Sequence, residues 1–297
     1  MRRRPVRHRV EIALFLAARG LLRALPHGVA RRVGSALGGA AHAADRRHRE
    51  LVRRNLGRAF PEWSAEVRAT AAHACFRHFG AVFCDTVSAL RLDAGELCRR
   101  THSDGWEHLR AAEAGDRGVL FMSAHLGHWE IASWVVAAFH GPIHAMGRPA
   151  DNPHFDRWLE RMRTRFGNVP LDKHGSVRAI LRGLQGGARI GLLIDQRVRP
   201  RDGILVPFFG RPAWTSPLLA RLALRTGAPI VPVLGDLAPG GGYRVSLLAP
   251  IEQPEGRGDE AVAELTRRCL AVVEERVRAT PERWFWLHDR WKGAPET

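Results

Sequence analysis

An imidazole and a carboxylate stand five positions apart in the segment Ser123-Ala124-His125-Leu126-Gly127-His128-Trp129-Glu130. A carboxylate beside an imidazole raises its basicity and fixes its tautomer, which a general base acting on a hydroxyl requires. The same residues admit other readings. His125 and His128 with Glu130 resemble a ligand set, but the His-Glu-x-x-His helix pattern of a zinc site is missing, so no metal is expected. Ser123 is a tempting nucleophile, but it lacks the Gly-x-Ser-x-Gly elbow that would present it. Chance proximity of a His and a Glu is the third reading, and the rest of the chain has to decide.

The elements around this segment place it. Val119 to Met122 is a short, continuous apolar run entered through Gly118, the pattern of a buried strand. Gly127 permits a tight turn, and the apolar stretch from Trp129 reads as a buried helix. Two more such runs, Arg189 to Ile194 and Pro229 to Leu234, alternate with helical patterns, as does an extended segment from Pro142 to Gly147. Asn152 is placed to cap an arginine-rich helix, and a long amphipathic helix runs from Asp259 to Arg278. Tyr243 to Leu248 alternates like an edge strand. Alternation of strands and helices predicts an α/β fold with a mostly parallel central sheet flanked by helices. In such sheets function gathers beyond the carboxyl ends of the strands. Three strand ends carry polar groups, His125, Arg148 and Asp195, and strand-tip placement predicts that they share one crevice.

Residues 1–100 read as wholly helical and 101–297 as the α/β part, the two forming one continuous unit in which the sheet begins only with the Val119 run. Phe76, Phe79, Val82 and Phe83 recur at core spacing on a helix capped by Ser64. A basic arm occupies residues 1–9, and residues 10–25 form a mostly apolar helix interrupted by Glu11, Arg19 and Arg23. At 1.5 Å per residue that helix is about 24 Å long, short of the roughly 30 Å of a bilayer core. An interfacial helix with arginines toward phosphates, a tilted span and an ordinary core helix all remain open.

The chain has 297 residues, 45% hydrophobic and 26% charged, with a net charge of +16 carried almost entirely by arginine. That excess favours an anionic partner: a membrane surface, an acidic carrier protein or nucleic acid. No helix-turn-helix, zinc or RNA-binding signature accompanies the charge, which argues against nucleic acid. The four cysteines form no Cys-x-x-Cys pair and read as buried apolar residues in a reducing compartment. No convincing cleavable signal is present.

A set of short motifs, in order, resembles the lipid A biosynthesis acyltransferases, a family that includes the mycobacterial phosphatidylinositol mannoside acyltransferases. They are Asn55-Leu56 with Phe60-Pro61-Glu62, the His-x4-Glu signature His125 to Glu130, Arg148-Pro149, the Arg-rich helix ending in Gly167, and Asp195-Gln196. Phe208-Phe209-Gly210 with Thr215, then Pro281-Glu282 with Trp286, His288 and Arg290-Trp291, complete the set. The resemblance implies a glycerolipid-acyltransferase-like fold and a membrane-associated enzyme on the cytoplasmic face of a bacterial inner membrane. It implies transfer of a fatty acyl chain from acyl-acyl carrier protein or acyl-CoA to a hydroxyl of a lipid acceptor, a lipid A precursor first and a mannosylated phosphatidylinositol second. No bound cofactor is implied. His125 is then the general base, with Glu130 or Asp195 orienting it. Arg148 and Arg163 hold acceptor phosphate, and Gln196, Phe208, Phe209, Gly210 and Thr215 fall among the substrate-binding positions. Many relatives carry Asn where this chain has His128, and an acid or amide where it has Arg197.

Overall fold

The computed structural model describes residues 12, 15–16, 19–147, 150, 152–171 and 176–295. The basic arm, most of residues 10–18, and Arg148 with Pro149 lie outside them. Residues 19–24 are helical and Pro26 ends that helix. Four helices follow: α1 (His27–Ala44), α2 (Arg46–Ala59), α3 (Ala65–Ala89) and α4 (Ala94–Arg99). The Ser64 hydroxyl caps α3 by accepting from the Val67 N–H at 3.3 Å. Among the described residues no helix is long and apolar enough to cross a membrane.

The remainder alternates. Its elements are β1 (Thr101–Asp104), α5 (Trp106–Glu113), β2 (Val119–Ser123), α6 (Trp129–His140), β3 (His144–Met146), α7 (Pro153–Arg163), β4 (Val169–Leu171), α8 (Ser176–Gln185) and β5 (Arg189–Leu193). Then come β6 (Ile204–Phe208), β7 (Arg211–Thr215), α9 (Leu218–Thr226), β8 (Ile230–Leu237), β9 (Tyr243–Leu247) and α10 (Asp259–Ala279). Seven strands form one sheet in the order β1-β9-β8-β2-β5-β3-β4, and β6 and β7 form a separate hairpin. Every neighbouring pair in the large sheet is parallel except β8 with β9.

Two expectations need correction. The sheet does not begin at Val119: β1 precedes it, and its polar sequence is held in the sheet by pairing with β9. For the same reason β9 is not an edge strand, since β1 covers its outer side.

Successive residues of β2 serve opposite faces, as the strand period requires. Leu120 and Met122 join a core with Leu56, Phe76, Ile190 and Leu265, beneath α2, α3 and α10. Val119 and Phe121 join a second core with Ile131, Trp134, Trp158 and Met162, beneath α6 and α7. A strand buried on both faces reads as a continuous apolar run, which is why Val119 to Met122 carries no alternation. Each fully buried Leu or Ile in these layers stabilises the fold by roughly 1.5–3 kcal/mol. α1 and α3 pack backbone to backbone: a Cβ on Gly34 would sit 2.3 Å from the Gly80 carbonyl oxygen.

Candidate active site

Sheet register places the two central groups. β2 and β5 are adjacent and parallel, with Ser123 opposite Leu193. Two residues beyond that pair the chain reaches His125 on one strand and Asp195 on the other. The His125 Nδ1 lies 2.9 Å from Asp195 Oδ1, and the His125 backbone N–H donates to Oδ2 at 2.9 Å. The Trp284 indole N–H also donates to Oδ2, at 2.7 Å. An ionised carboxylate only accepts, so Nδ1 carries a proton, and in the neutral form of the ring Nε2 is the nitrogen left with the lone pair. Asp195 is 1% exposed. Burial pushes its carboxyl up, but the charge of His125, the hydrogen bonds from His125 and Trp284 and the His125 backbone N–H together hold it below the usual value.

Glu130, the other acid considered for His125, pairs elsewhere. Arg163 donates from both Nε and Nη2 to Glu130 Oε1 at 3.0 Å. This joins the first turn of α6 to the last turn of α7, and puts each charge at the helix end that favours it.

His125, Glu130, Arg163 and Gln196 share the lining of one cavity of about 630 Å³. Phe121, Ile143, Leu159, Leu192 and Val233 give the same cavity a large apolar share of its lining. The size lies within the range of ligand pockets, and polar groups at the mouth of an apolar interior suit a substrate with a hydrocarbon part. Ser123 also lines it, but its hydroxyl donates to the Val233 carbonyl at 2.7 Å and has no base beside it.

The loop carrying His125 is fixed on both sides. The Gly127 N–H donates to the Arg283 carbonyl at 2.8 Å, the His128 N–H to the Gly235 carbonyl at 2.7 Å, and the Phe285 N–H to the His125 carbonyl at 2.9 Å. Gly127 has φ +59, and a Cβ there would lie 2.2 Å from the Gly235 carbonyl oxygen, so glycine is required twice over. His128 caps α6: its Nδ1 accepts from the Ile131 N–H at 3.3 Å, a role an asparagine oxygen also fills. The other ring nitrogen, Nε2, lies 3.3 Å from Asp85 Oδ2. Asp85 is fully buried on α3, and its Oδ1 accepts from Arg31 Nε at 2.6 Å. Burial pushes the Asp85 carboxyl up, and His128, His27 and Arg31 more than offset this, holding it far below the usual value.

Four positions assigned to substrate lie outside the cavity lining. Phe208 is fully buried at the end of β6, stacked on Trp291 with centroids 6.0 Å apart. Phe209 (φ 52) and Gly210 (φ 69) form the two-residue turn joining β6 to β7, which requires left-handed backbone at both. The Phe209 N–H donates to Glu274 at 2.7 Å, and the Arg278 guanidinium lies 4.7 Å from its ring centre. Thr215 Oγ1 accepts from Arg290 Nη2 at 2.5 Å. These residues build the hairpin and its anchorage. The crevice joins His125 and Asp195, and Arg148 lies outside the described residues.

Trp284 and Asp85 carry no expectation from the sequence, and His128 and His288, named there, take roles beside the site that it does not state. The His288 Nε2 accepts from the Arg197 N–H at 3.0 Å. Its basicity is pushed down to about 4, by burial first and then by Arg290. The aromatic tail was a visible signal for Trp284 and His288. Asp85 showed only as a lone acid within a helix spaced for core.

A mostly parallel α/β sheet with a His–carboxylate pair beyond two adjacent strands, opening on an apolar cavity, defines an α/β enzyme whose site sits at the strand ends. The chain belongs to the bacterial lipid A biosynthesis acyltransferase family, whose sequence model matches residues 2–293, and it is an acyltransferase. It is 30% identical over 275 residues to a lipid A biosynthesis lauroyltransferase of Escherichia coli, covering 92% of this chain and 88% of that one. It is 27% identical over 285 residues to a phosphatidylinositol mannoside acyltransferase of Mycolicibacterium smegmatis, covering 93% and 90%. A solved 1-acyl-sn-glycerophosphate acyltransferase from Thermotoga maritima matches with a TM-score of 0.37 and 15% identity over 84% of this chain and 98% of that one, too low a score to bear on the fold.

Proposed function

We propose that this enzyme is membrane-associated and moves a fatty acyl chain from acyl-acyl carrier protein, or acyl-CoA, to a hydroxyl of a lipid A precursor at the cytoplasmic face of the inner membrane. The observation that carries the chemistry is the His125–Asp195 pair at the mouth of the apolar cavity. Asp195 holds the proton on Nδ1, so Nε2 accepts the acceptor's hydroxyl proton as its oxygen attacks the thioester carbonyl. The tetrahedral oxyanion then collapses, the C–S bond breaks, and the thiolate leaves with the proton that His125 took from the hydroxyl. The attacking hydroxyl belongs to the acceptor, so no acyl-enzyme forms.

The apolar cavity suits the acyl chain, since each buried CH₂ contributes roughly 0.8 kcal/mol. Arg163, held at the rim by Glu130, supports a role in binding acceptor phosphate. The net charge of +16 supports both an acidic carrier protein and an anionic membrane surface as partners. A mannosylated phosphatidylinositol is the second acceptor reading, favoured by the M. smegmatis relative, which covers as much of the chain as the lauroyltransferase.

Lipid mass spectrometry on a strain lacking the protein tests the proposal. A lipid A precursor short of one acyl chain is the expected result. An under-acylated mannoside would move the assignment to the second reading, and an unchanged lipid profile would contradict both.

A further inference from the structure

α7 separates two cavities. Asp156, Leu159, Glu160 and Arg163 face the catalytic one, whereas His154, Arg157, Trp158 and Arg161 face the other. Spacings of three and four residues divide the helix into these two stripes. The second cavity has a volume of about 480 Å³ and is closed on its far side by Ile12, Leu16, Arg19 and Arg23 of the N-terminal helical residues.

Its electrostatics are one-sided. Five arginines line it, Arg19, Arg23, Arg157, Arg161 and Arg165, and among the described residues no Asp or Glu does. Among the described residues none of the five is paired with a carboxylate. The Nε groups of Arg19 and Arg165 are buried with no hydrogen-bond partner. Burial, and then the charge of Arg23, pulls Arg165 below the usual arginine value. Like charges gathered with orphaned buried donors are unfavourable unless an anion completes them. Leu90, Trp158 and Met162 supply an apolar floor beneath the arginines.

The combination matches a phosphate with hydrocarbon attached. Leu16 of the cavity wall is itself exposed, as is Leu21 on the same N-terminal helical stretch between Arg19 and Arg23, so apolar side chains neighbour the cationic ones. We propose that this second cavity binds the phosphate headgroup of an anionic membrane phospholipid and seats the enzyme on the bilayer. The proposal rests on the lipid-acyltransferase reading only in its choice of a membrane ligand.

Flotation of the full-length protein with phosphatidylcholine vesicles, with or without phosphatidylglycerol, tests it. An Arg157→Gln/Arg161→Gln double variant should lose tenfold or more of its binding to the phosphatidylglycerol vesicles, on the order expected for two arginines at an anionic surface. An Arg221→Gln/Arg225→Gln variant removes the same charge from exposed positions on α9 and should bind as the wild type does. Equal losses in both variants would mean diffuse attraction and overturn the site, as would no loss in the first. Release of the wild type by inorganic phosphate at constant ionic strength would show a free-anion site and overturn the headgroup assignment. Both changes are at exposed positions, and matching thermal melts confirm the fold. No acyl donor is present, so failure here leaves the transferase reading standing, and failure of that reading leaves this result intact.

Discussion

Glu130 and Arg163 are each other's partners: two guanidinium N–H groups of Arg163 converge on one carboxylate oxygen of Glu130 at 3.0 Å. The pair ties α6 to α7 beside the cavity that both residues line. Residues that act as a unit are non-additive. Arg163→Ala should raise KM for the lipid acceptor, and Glu130→Ala should do nearly as much by freeing the arginine. The double variant should cost little more than either single one, a coupling of about 1 kcal/mol or more. Steady-state kinetics on the three variants checks this; additive losses would separate the two residues.

The buried Asp85 stands behind the His125 loop, with Arg31 on one oxygen and His128 on the other. Removing one partner of a buried ion pair strands the others, at about 3–5 kcal/mol. Asp85→Ala should therefore lower the melting temperature by several degrees, whereas a change within about 1 °C would show the network to be dispensable. His128→Asn keeps an acceptor for the Ile131 N–H, so it should be milder than His128→Ala by about 1 kcal/mol. Chemical denaturation of the two variants measures the difference.

His288 gives stability a pH dependence. Its folded pKa is about 4 against an ordinary 6.5, so the unfolded chain binds the proton first. The contribution is complete above pH 6.5 and is lost as pH falls toward about 4. The loss is on the order of 2–3 kcal/mol, allowing for partial exposure. Asp195, held below its usual value, adds a further loss only in more acidic solution, below its unfolded pKa of about 3.9. Urea unfolding across this window should show the decline in wild type and a flatter profile in His288→Gln. Identical profiles would contradict it.

What the sequence shows and hides follows from how local each cause is. Val119 to Met122 and Arg189 to Leu193 are legible as strands because central parallel strands are apolar throughout. Thr101 to Asp104 is illegible, since its residues alternate only between half-buried and exposed and only pairing with β9 makes it a strand. His125 and Asp195 are visible as strand tips, but their contact depends on the Ser123–Leu193 register, which no local pattern states. Phe208, Phe209 and Gly210 form a conspicuous local cluster, and what no local pattern states is its place: the end of β6 and the following turn, packed on the aromatic tail and outside the lining of the cavity that holds His125. Asp85 meets Arg31 and His128 only through packing of α1, α3 and α6, so its function as an anchor is purely tertiary.

The proposed transfer depends on His125 as base, with Nε2 made available by Asp195. The most direct measurement is the single-turnover rate of acyl transfer by purified wild type, His125→Ala and Asp195→Asn, with acyl-acyl carrier protein and a lipid A precursor. His125→Ala should fold normally and lose about 10²–10⁴-fold in rate. Asp195→Asn should also lose orders of magnitude, because an amide no longer dictates the imidazole tautomer. A His125→Ala enzyme that transfers the acyl chain at near wild-type rate would contradict the mechanism outright.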